Sequence, residues 1–341
     1  MKSKKKIRGI QSCRAIAALS VLLYHVGTTA YAYHLESYFN LLFSIGHLGV
    51  DFFFVLSGFI IFNAHFGDIG DRQKGLLYAK KRFFRIYPIF FIITSSKVLI
   101  FLMLGTEFRE EQKSVSYFLS SYLLFPIKEQ FPLVNVAWTL SHEIIFYFYF
   151  LVAMLMGRRA FYFMTSVWAL CILYYNLIDH DYNFALFYIL STYNLEFIIG
   201  MFVALIYRQT TINPRYTLAG VAIFLSAFIY FGSVLSDLGL RFIFGSGFGL
   251  LVLASTSLPE FKGAILRKVE ELLYLTGNAS YSIYLVHTLV ITAIYKALIN
   301  SMDANFLGFV TLFVSLGTGI LFWKFVENPL LQFTRKKFIN K

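Results

Sequence analysis

The sequence carries little charge for its length. Only 14% of its 341 residues are charged, whereas 58% are hydrophobic and the mean hydropathy is +0.67. A soluble domain has about 25% charged residues, because its surface must be solvated by water. So few charges cannot cover such a surface, and this excludes an ordinary soluble protein.

Cysteine is also scarce. The sequence contains Cys13 and Cys171, which lie far apart. Two cysteines are too few for a disulfide framework, and no CxxC pattern of a metal or redox site is present. The seven histidines are scattered along the chain. We therefore predict no disulfide scaffold and no metal site.

Long apolar runs, by contrast, are abundant. A transmembrane helix needs about 20 consecutive and mainly apolar residues. Ten stretches meet this requirement: 10–31, 42–63, 88–105, 134–156, 160–178, 184–206, 217–235, 240–258, 278–299 and 305–326. The shorter apolar stretch 116–126 is interpreted as a half-helix or a re-entrant segment. The sequence thus predicts an all-α fold, a polytopic membrane helix bundle of about ten transmembrane helices.

The distribution of positive charge predicts the orientation of this bundle. The net charge is +12, but the Lys and Arg residues lie in short connectors between apolar runs, so we predict no nucleic-acid partner. If the N-terminus is cytoplasmic, the inner connectors hold 22 Lys and Arg. The outer side then has Arg109, Lys113 and Lys128, with Arg241 and Lys296 at nearby helix ends. This asymmetry predicts cytoplasmic N- and C-termini.

The same pattern predicts a multi-pass protein of the bacterial inner membrane. No linker, internal repeat or low-complexity tract interrupts the apolar runs. We therefore expect residues 1–341 to form a single membrane domain, without a fused soluble domain. Any chemistry must then be carried out by the bundle and its short loops.

The first predicted span contains two ionisable side chains, Arg14 and His25. Such residues are costly in hydrocarbon, and each needs a reason. The two are eleven residues apart, so a helix places both on one face, about 16 Å apart along its axis. This spacing is typical of a functional face. The alternative is an arginine that snorkels towards the headgroups and a histidine bonded to a carbonyl in the core.

Asp51 in the second span is a candidate partner for His25. The second span runs antiparallel to the first, which places Asp51 at a depth similar to that of His25. A carboxylate beside an imidazole fixes its tautomer and raises its basicity. Ser57 and Gly58 follow, and close helix packing alone explains these small residues.

Two further motifs contain charged residues. Arg82 and Arg85 lie one helical turn apart in a basic connector before Pro88. They suit either ordinary cytoplasmic anchoring, with the proline at a helix start, or a grip on a phosphate group. Glu143 lies within the fourth predicted span, five residues after Trp138. A buried glutamate in a membrane bundle usually has a functional or network role.

Two features lie near the C-terminus. Four hydroxyl side chains are candidate partners for His287: Ser280, Tyr281, Ser282 and Tyr284. Pro329 is expected to end the last helix.

Taken in order, these motifs resemble those of the acyltransferase 3 family of integral-membrane acyltransferases. The resemblance covers nearly the whole chain and is closest to the exopolysaccharide-production (ExoZ-type) branch. It rests on six blocks: Arg14 with His25, GVDFFFVLSG (49–58), RFFRIYP (82–88), WTLSHE (138–143), SYSIYLVH (280–287) and VENP (326–329).

This resemblance implies an acetyl-CoA-dependent O-acetyltransferase. The expected donor is cytoplasmic acyl-CoA, most simply acetyl-CoA, and the expected acceptor is a hydroxyl of an exported polysaccharide or its lipid-linked precursor. Catalysis is assigned to His25 as general base, aided by Glu143 and Asp51. CoA binding is assigned to a basic set, Arg14, Arg82 and Arg85.

Several alternatives remain open at this stage. His25 could act as a base or form a covalent acyl intermediate. Membrane lipids and polysaccharide assembly proteins are further expected partners. A transporter or flippase of a lipid-linked sugar would also explain the helices and buried charges, and a non-catalytic assembly subunit would bind no CoA.

Overall fold

The computed structural model describes residues 8–103, 110–126, 130–178, 184–231, 234–258 and 263–339. Parts of the predictions therefore fall on residues outside the described ones. These parts are the basic run 1–7, the ends of the predicted spans at 104–105 and 232–233, and the loop residues Arg109 and Lys128. The orientation that these charges predict stays a prediction.

Helices make up the regular structure of the described residues. In chain order they are α1 (Arg8–Ala32), α2 (Tyr38–Leu42), α3 (Gly49–His65), α4 (Arg72–Met103), α5 (Val115–Leu123), α6 (Trp138–Leu155), α7 (Arg158–Leu177), α8 (Phe184–Ile189), α9 (Tyr193–Gln209), α10 (Pro214–Phe231), α11 (Asp237–Ser257), α12 (Ala264–Asn278), α13 (Ser280–Leu298), α14 (Ala304–Phe322) and α15 (Asn328–Thr334). Short 3-10 or π-helical turns join or extend several of them.

Within the described residues, nine helical segments are long and apolar enough to cross a membrane. They are Arg8–Ala32, Ser44–Asp68, Arg72–Met103, Asn135–Leu155, Arg158–Leu177, Leu186–Gln209, Asp237–Ser257, Ser280–Leu298 and Ala304–Ile339. The remaining predicted span corresponds to the shorter apolar helix Pro214–Tyr230. The predicted all-α, polytopic fold is confirmed, and the protein is a multi-pass membrane protein.

Two proline positions differ from expectation. Pro88 was expected at a helix start, yet it lies inside the 32-residue helix α4, which begins in the basic connector. Pro329 was expected to end the last helix. It lies in the first turn of α15, directly after the π-helical turn Trp323–Glu327, and the helical path continues beyond it. The helical segments Arg72–Met103 and Ala304–Ile339 are therefore longer than the predicted spans 88–105 and 305–326.

The chain forms two compact units. The first unit comprises Met1–Ser20, His47–Gly70 and Ala153–Asn278. Inside it, α3 and α9 approach so closely that a Cβ at Gly58 would collide with the carbonyl oxygen of Phe197, and one at Gly200 with that of Val55. Glycine at both positions allows this contact, as small residues do at membrane helix interfaces. The packing role predicted for Gly58 therefore has a structural basis.

The second unit comprises Val21–Gly46, Asp71–Val152 and Ala279–Lys341. Its core joins the C-terminal half of α1 to α13 and α14 through buried apolar residues. They include Leu22, Val26, Phe39, Ile283, Ile291, Tyr295 and Leu307. The Tyr295 hydroxyl also donates to the Val26 carbonyl at 3.2 Å. This core fixes α1 against α13, and both helices contribute to the site described next.

Candidate functional site

A pair of histidines lies where α1 packs against α13 in the second unit. The ring centroids of His25 and His287 are 5.0 Å apart, and the rings are tilted by 46°. Helical periodicity explains the pairing, because His25 follows the core residue Leu22 by three positions and His287 follows Ile283 by four. His287 is buried and His25 is half-buried, so the pair is open on the His25 side.

The hydrogen bonding of His287 determines which of its nitrogens is free. Its Nδ1 lies 3.1 Å from the carbonyl oxygen of Ile283. A carbonyl oxygen only accepts, so Nδ1 carries the proton in the neutral ring and Nε2 is left as an acceptor. This Nε2 atom is buried and has no hydrogen-bond partner in the described part of the chain. Such a group costs about 1–3 kcal/mol when unsatisfied, so a substrate hydroxyl or water is expected there.

Hydroxyl groups from two helices border this pair. The Tyr284 ring is 5.9 Å from the His287 ring. The Tyr284 hydroxyl lies 2.9 Å from Thr139 Oγ1, at the start of α6, and donates to the Val136 carbonyl at 3.0 Å. The sequence suggested Tyr284 as a hydroxyl partner of His287. In the structure, the Tyr284 hydroxyl instead bonds Val136 and Thr139 at the start of α6, and the Tyr284 ring packs beside His287.

A second polar cluster lies on α4 and the junction of α14 with α15. Arg85 donates from Nη1 to Glu327 Oε1 at 2.6 Å, and Ser282 donates to Glu327 Oε2 at 2.5 Å. Glu327 is fully buried and closes a π-helical turn, Trp323–Glu327. The Arg85 guanidinium also lies 4.9 Å from the ring centroid of Tyr281. Arg85 is therefore held in place by a buried partner.

Arg82 is held differently from Arg85. Its guanidinium lies 5.7 Å from the Tyr78 ring centroid and 5.6 Å from that of Tyr147. Its Nε has no hydrogen-bond partner among the described residues. The Tyr147 hydroxyl donates to Glu143, which places the predicted glutamate beside this arginine. Two aromatic rings thus orient Arg82 while leaving donors available to a ligand.

Two helices connect the two clusters. On α13, Ser282 contacts the glutamate of the basic cluster, and His287 lies five residues further, about 7.5 Å along the axis. On α6, Thr139 and Glu143 are about 6 Å apart. In the second unit, α6 and α13 therefore each contribute polar side chains to both the arginine cluster and the histidine pair.

Two of the predicted site residues, Asp51 and Arg14, lie in the first unit. Asp51 is buried and forms an ion pair with Arg241, whose Nη1 is 3.8 Å from Glu196. We expected Asp51 to lie beside His25, but its carboxylate forms an ion pair with Arg241 on α11. Arg14 is half-buried in the first half of α1. The roles of both residues in catalysis and donor binding stay predictions.

Sequence reasoning did not assign three residues that the structure brings into the site. His287 stood in a recognised block but was given no role. Glu327 was passed over because Pro329 suggested a helix end, although an intramembrane carboxylate was itself a signal. Ser282 was considered as a hydroxyl partner of His287, but it bonds Glu327 instead.

No group of three or more potential metal ligands occurs in the part of the chain that the structure describes.

Comparison with known proteins gives two matches. A family model described as an acyltransferase domain matches residues 7–326. The chain is 29% identical over 302 residues to the exopolysaccharide production protein ExoZ of Rhizobium meliloti (strain 1021). The aligned region covers 85% of this chain and 91% of that protein. No solved structure is significantly similar to the chain. Since the family match spans nearly the whole chain and includes both His25 and His287, the chain belongs to the acyltransferase 3 family.

Proposed function

We propose that this protein is an O-acetyltransferase of the bacterial inner membrane, with both termini in the cytoplasm. It moves the acetyl group of acetyl-CoA to a hydroxyl of an exported polysaccharide or its lipid-linked precursor. The observation that carries the proposal is the His25–His287 pair at one end of a polar path that begins at Arg82 and Arg85. The similarity to an exopolysaccharide production protein supports the class of acceptor.

The donor binds at the basic cluster. CoA carries several phosphate charges, and guanidinium groups bind phosphate through charge-assisted hydrogen bonds. The Arg82 Nε has no hydrogen-bond partner among the described residues, and Arg85 has further N–H groups beyond the one that bonds Glu327. The thioester end of the donor then extends along α13 towards His25.

His25 acts as the general base. It removes the proton from the acceptor hydroxyl while the hydroxyl oxygen attacks the thioester carbonyl. The new C–O bond forms, the C–S bond breaks, and the proton passes from the imidazole to the departing sulfur of CoA. Glu143 orients the acceptor or His25.

Transfer of radiolabelled acetyl groups tests this function. Membranes containing the protein are expected to move label from acetyl-CoA into a lipid-linked glycan fraction, whereas membranes lacking it are not. Binding of CoA to the purified protein is measured in parallel. Absence of both CoA binding and transfer with every glycan offered would contradict the proposal and favour a transporter. CoA binding without transfer would show that the acceptor is of another class.

The two arginines are expected to respond differently to substitution. Arg82→Gln should raise the KM for acetyl-CoA by about 10- to 100-fold, the effect of one hydrogen bond to a charged group. Thermal stability should fall only modestly, because the substitution removes the contacts of the guanidinium with the Tyr78 and Tyr147 rings. Arg85→Gln should lower both donor affinity and stability, because it leaves Glu327 buried without its cation.

Steady-state kinetics with varied acetyl-CoA and melting in detergent separate these effects. Lys80→Gln is the matched control, since Lys80 is an exposed cation on the same helix. Equal losses of donor affinity in all three variants would indicate a general effect of positive charge and argue against a specific grip by Arg82.

A further inference from the structure

Before α6, residues 130–134 are not helical and Asn135–Ala137 form one 3-10 turn. Leu133, Val134, Val136 and Ala137 are between 0% and 4% exposed, so most of this segment is buried in the second unit. Buried backbone groups outside the helical hydrogen-bond pattern need other partners. Asn135 differs from its neighbours, because its side chain is exposed.

Side chains from three helices supply those partners. The Tyr117 hydroxyl donates to the Phe131 carbonyl at 2.9 Å, and Ser121 Oγ accepts from the Leu133 N–H at 3.1 Å. From α4, Lys97 Nζ donates to the Leu133 carbonyl at 2.5 Å. From α13, the Tyr284 hydroxyl donates to the carbonyl of Val136. The segment is therefore clamped from α4, α5 and α13.

These clamps place the segment at membrane depth. Tyr284 lies near the beginning of the apolar span Ser280–Leu298 and about 21 Å from its far end. Lys97 lies about 9 Å before the end of the span Arg72–Met103. Irregular backbone at such a depth is tolerated only where it is buried in protein or lines a water-filled cavity. An amide side chain facing hydrocarbon would lack hydrogen-bond partners, so the exposed Asn135 favours a cavity.

We propose that residues 131–137 form the wall of an acceptor vestibule, in which Asn135 binds a hydroxyl group of the glycan. Lys97 is a positioning residue that holds this wall through the Leu133 carbonyl. The identity of the ligand rests on the proposed acetyltransferase function, whereas the existence of the vestibule does not.

The chemistry of the wall suits a neutral, hydroxyl-rich ligand. The Asn135 amide offers both donors and an acceptor, as sugar hydroxyls require. Tyr284 connects this wall to the histidine pair, because its hydroxyl bonds the Val136 carbonyl and its ring lies 5.9 Å from the His287 ring. Lys97 lies twelve residues from Arg85 on α4, about 18 Å along the axis, so the wall is well separated from the proposed phosphate grip. The Lys97 ammonium group donates to the Leu133 carbonyl.

Cysteine accessibility tests the vestibule without relying on transfer. In a background with Cys13→Ala and Cys171→Ser, Asn135→Cys is compared with Phe148→Cys, which is also exposed but lies on the apolar surface of α6. Intact cells are treated with a membrane-impermeant methanethiosulfonate reagent. We expect Asn135→Cys to react at least about tenfold faster than Phe148→Cys, because a thiol must reach water to form the reactive thiolate. Equal rates, or no reaction at Asn135→Cys in protein present at normal amounts, would overturn the proposal.

Kinetics test the ligand and the role of Lys97. Asn135→Ala is expected to raise the KM for the glycan about tenfold while leaving the KM for acetyl-CoA unchanged. Lys97→Met should lower kcat and alter labelling of Asn135→Cys, and Lys97→Arg should restore both. If the thiol is labelled but no glycan is ever acetylated, the vestibule stands and the proposed function fails. A rise in the KM for acetyl-CoA instead would overturn the acceptor assignment.

Discussion

His25→Ala is expected to lower the rate of acetyl transfer by about 10²–10⁴-fold, the range that general acid–base catalysis contributes. His25 is the half-buried member of the histidine pair, so its imidazole is the one that a substrate hydroxyl can reach. CoA binding should persist, because the proposed phosphate contacts lie on α4. Labelled transfer and CoA binding are measured on the same membranes at equal protein levels.

His287→Asn provides a finer test of the same pair. Asparagine can keep a donor near the Ile283 carbonyl but lacks an acceptor at the position of Nε2. We expect a loss of transfer smaller than that of His25→Ala, with an altered pH profile. His34→Asn is the control, since His34 is exposed and asparagine tolerates its positive φ. Unchanged transfer in His25→Ala would remove this base from the mechanism while leaving the family membership intact.

Glu327→Ala is expected to have the largest effect on stability. Glu327 is fully buried and bonds both Arg85 and Ser282. Removing one partner of a buried ion pair leaves an uncompensated charge and costs about 3–5 kcal/mol. The double variant Arg85→Met with Glu327→Leu removes both charges, so it should recover most of this loss.

Thermal unfolding in detergent, followed by tryptophan fluorescence, measures these differences. Glu271→Ala is a suitable control, because it removes an exposed carboxylate on α12. A loss of only about 0–1 kcal/mol in Glu327→Ala would mean that the pair behaves like one on a protein surface. If the double variant were as unstable as the single one, packing rather than charge would explain the loss.

The sequence by itself determined the class of fold and the family. Apolar runs of membrane-spanning length are a local property, and each helix satisfies its own backbone hydrogen bonds in hydrocarbon. The spacing of Arg14 and His25 on one helix face is likewise local. The blocks that identified the family are short stretches of sequence, and the family match over residues 7–326 confirmed them.

Only the tertiary structure decided which polar groups meet. Arg85 is 242 residues from Glu327, and Asp51 is 190 residues from Arg241, so no local pattern contains these pairs. We expected Asp51 beside His25 because the two residues lie at a similar predicted depth in the membrane. In a helix bundle, however, several polar groups lie at the same depth, so depth alone does not select a partner. Helix packing selects among them: His25 meets His287 because α1 and α13 share a core, and Asp51 meets Arg241 because α3 packs against α11.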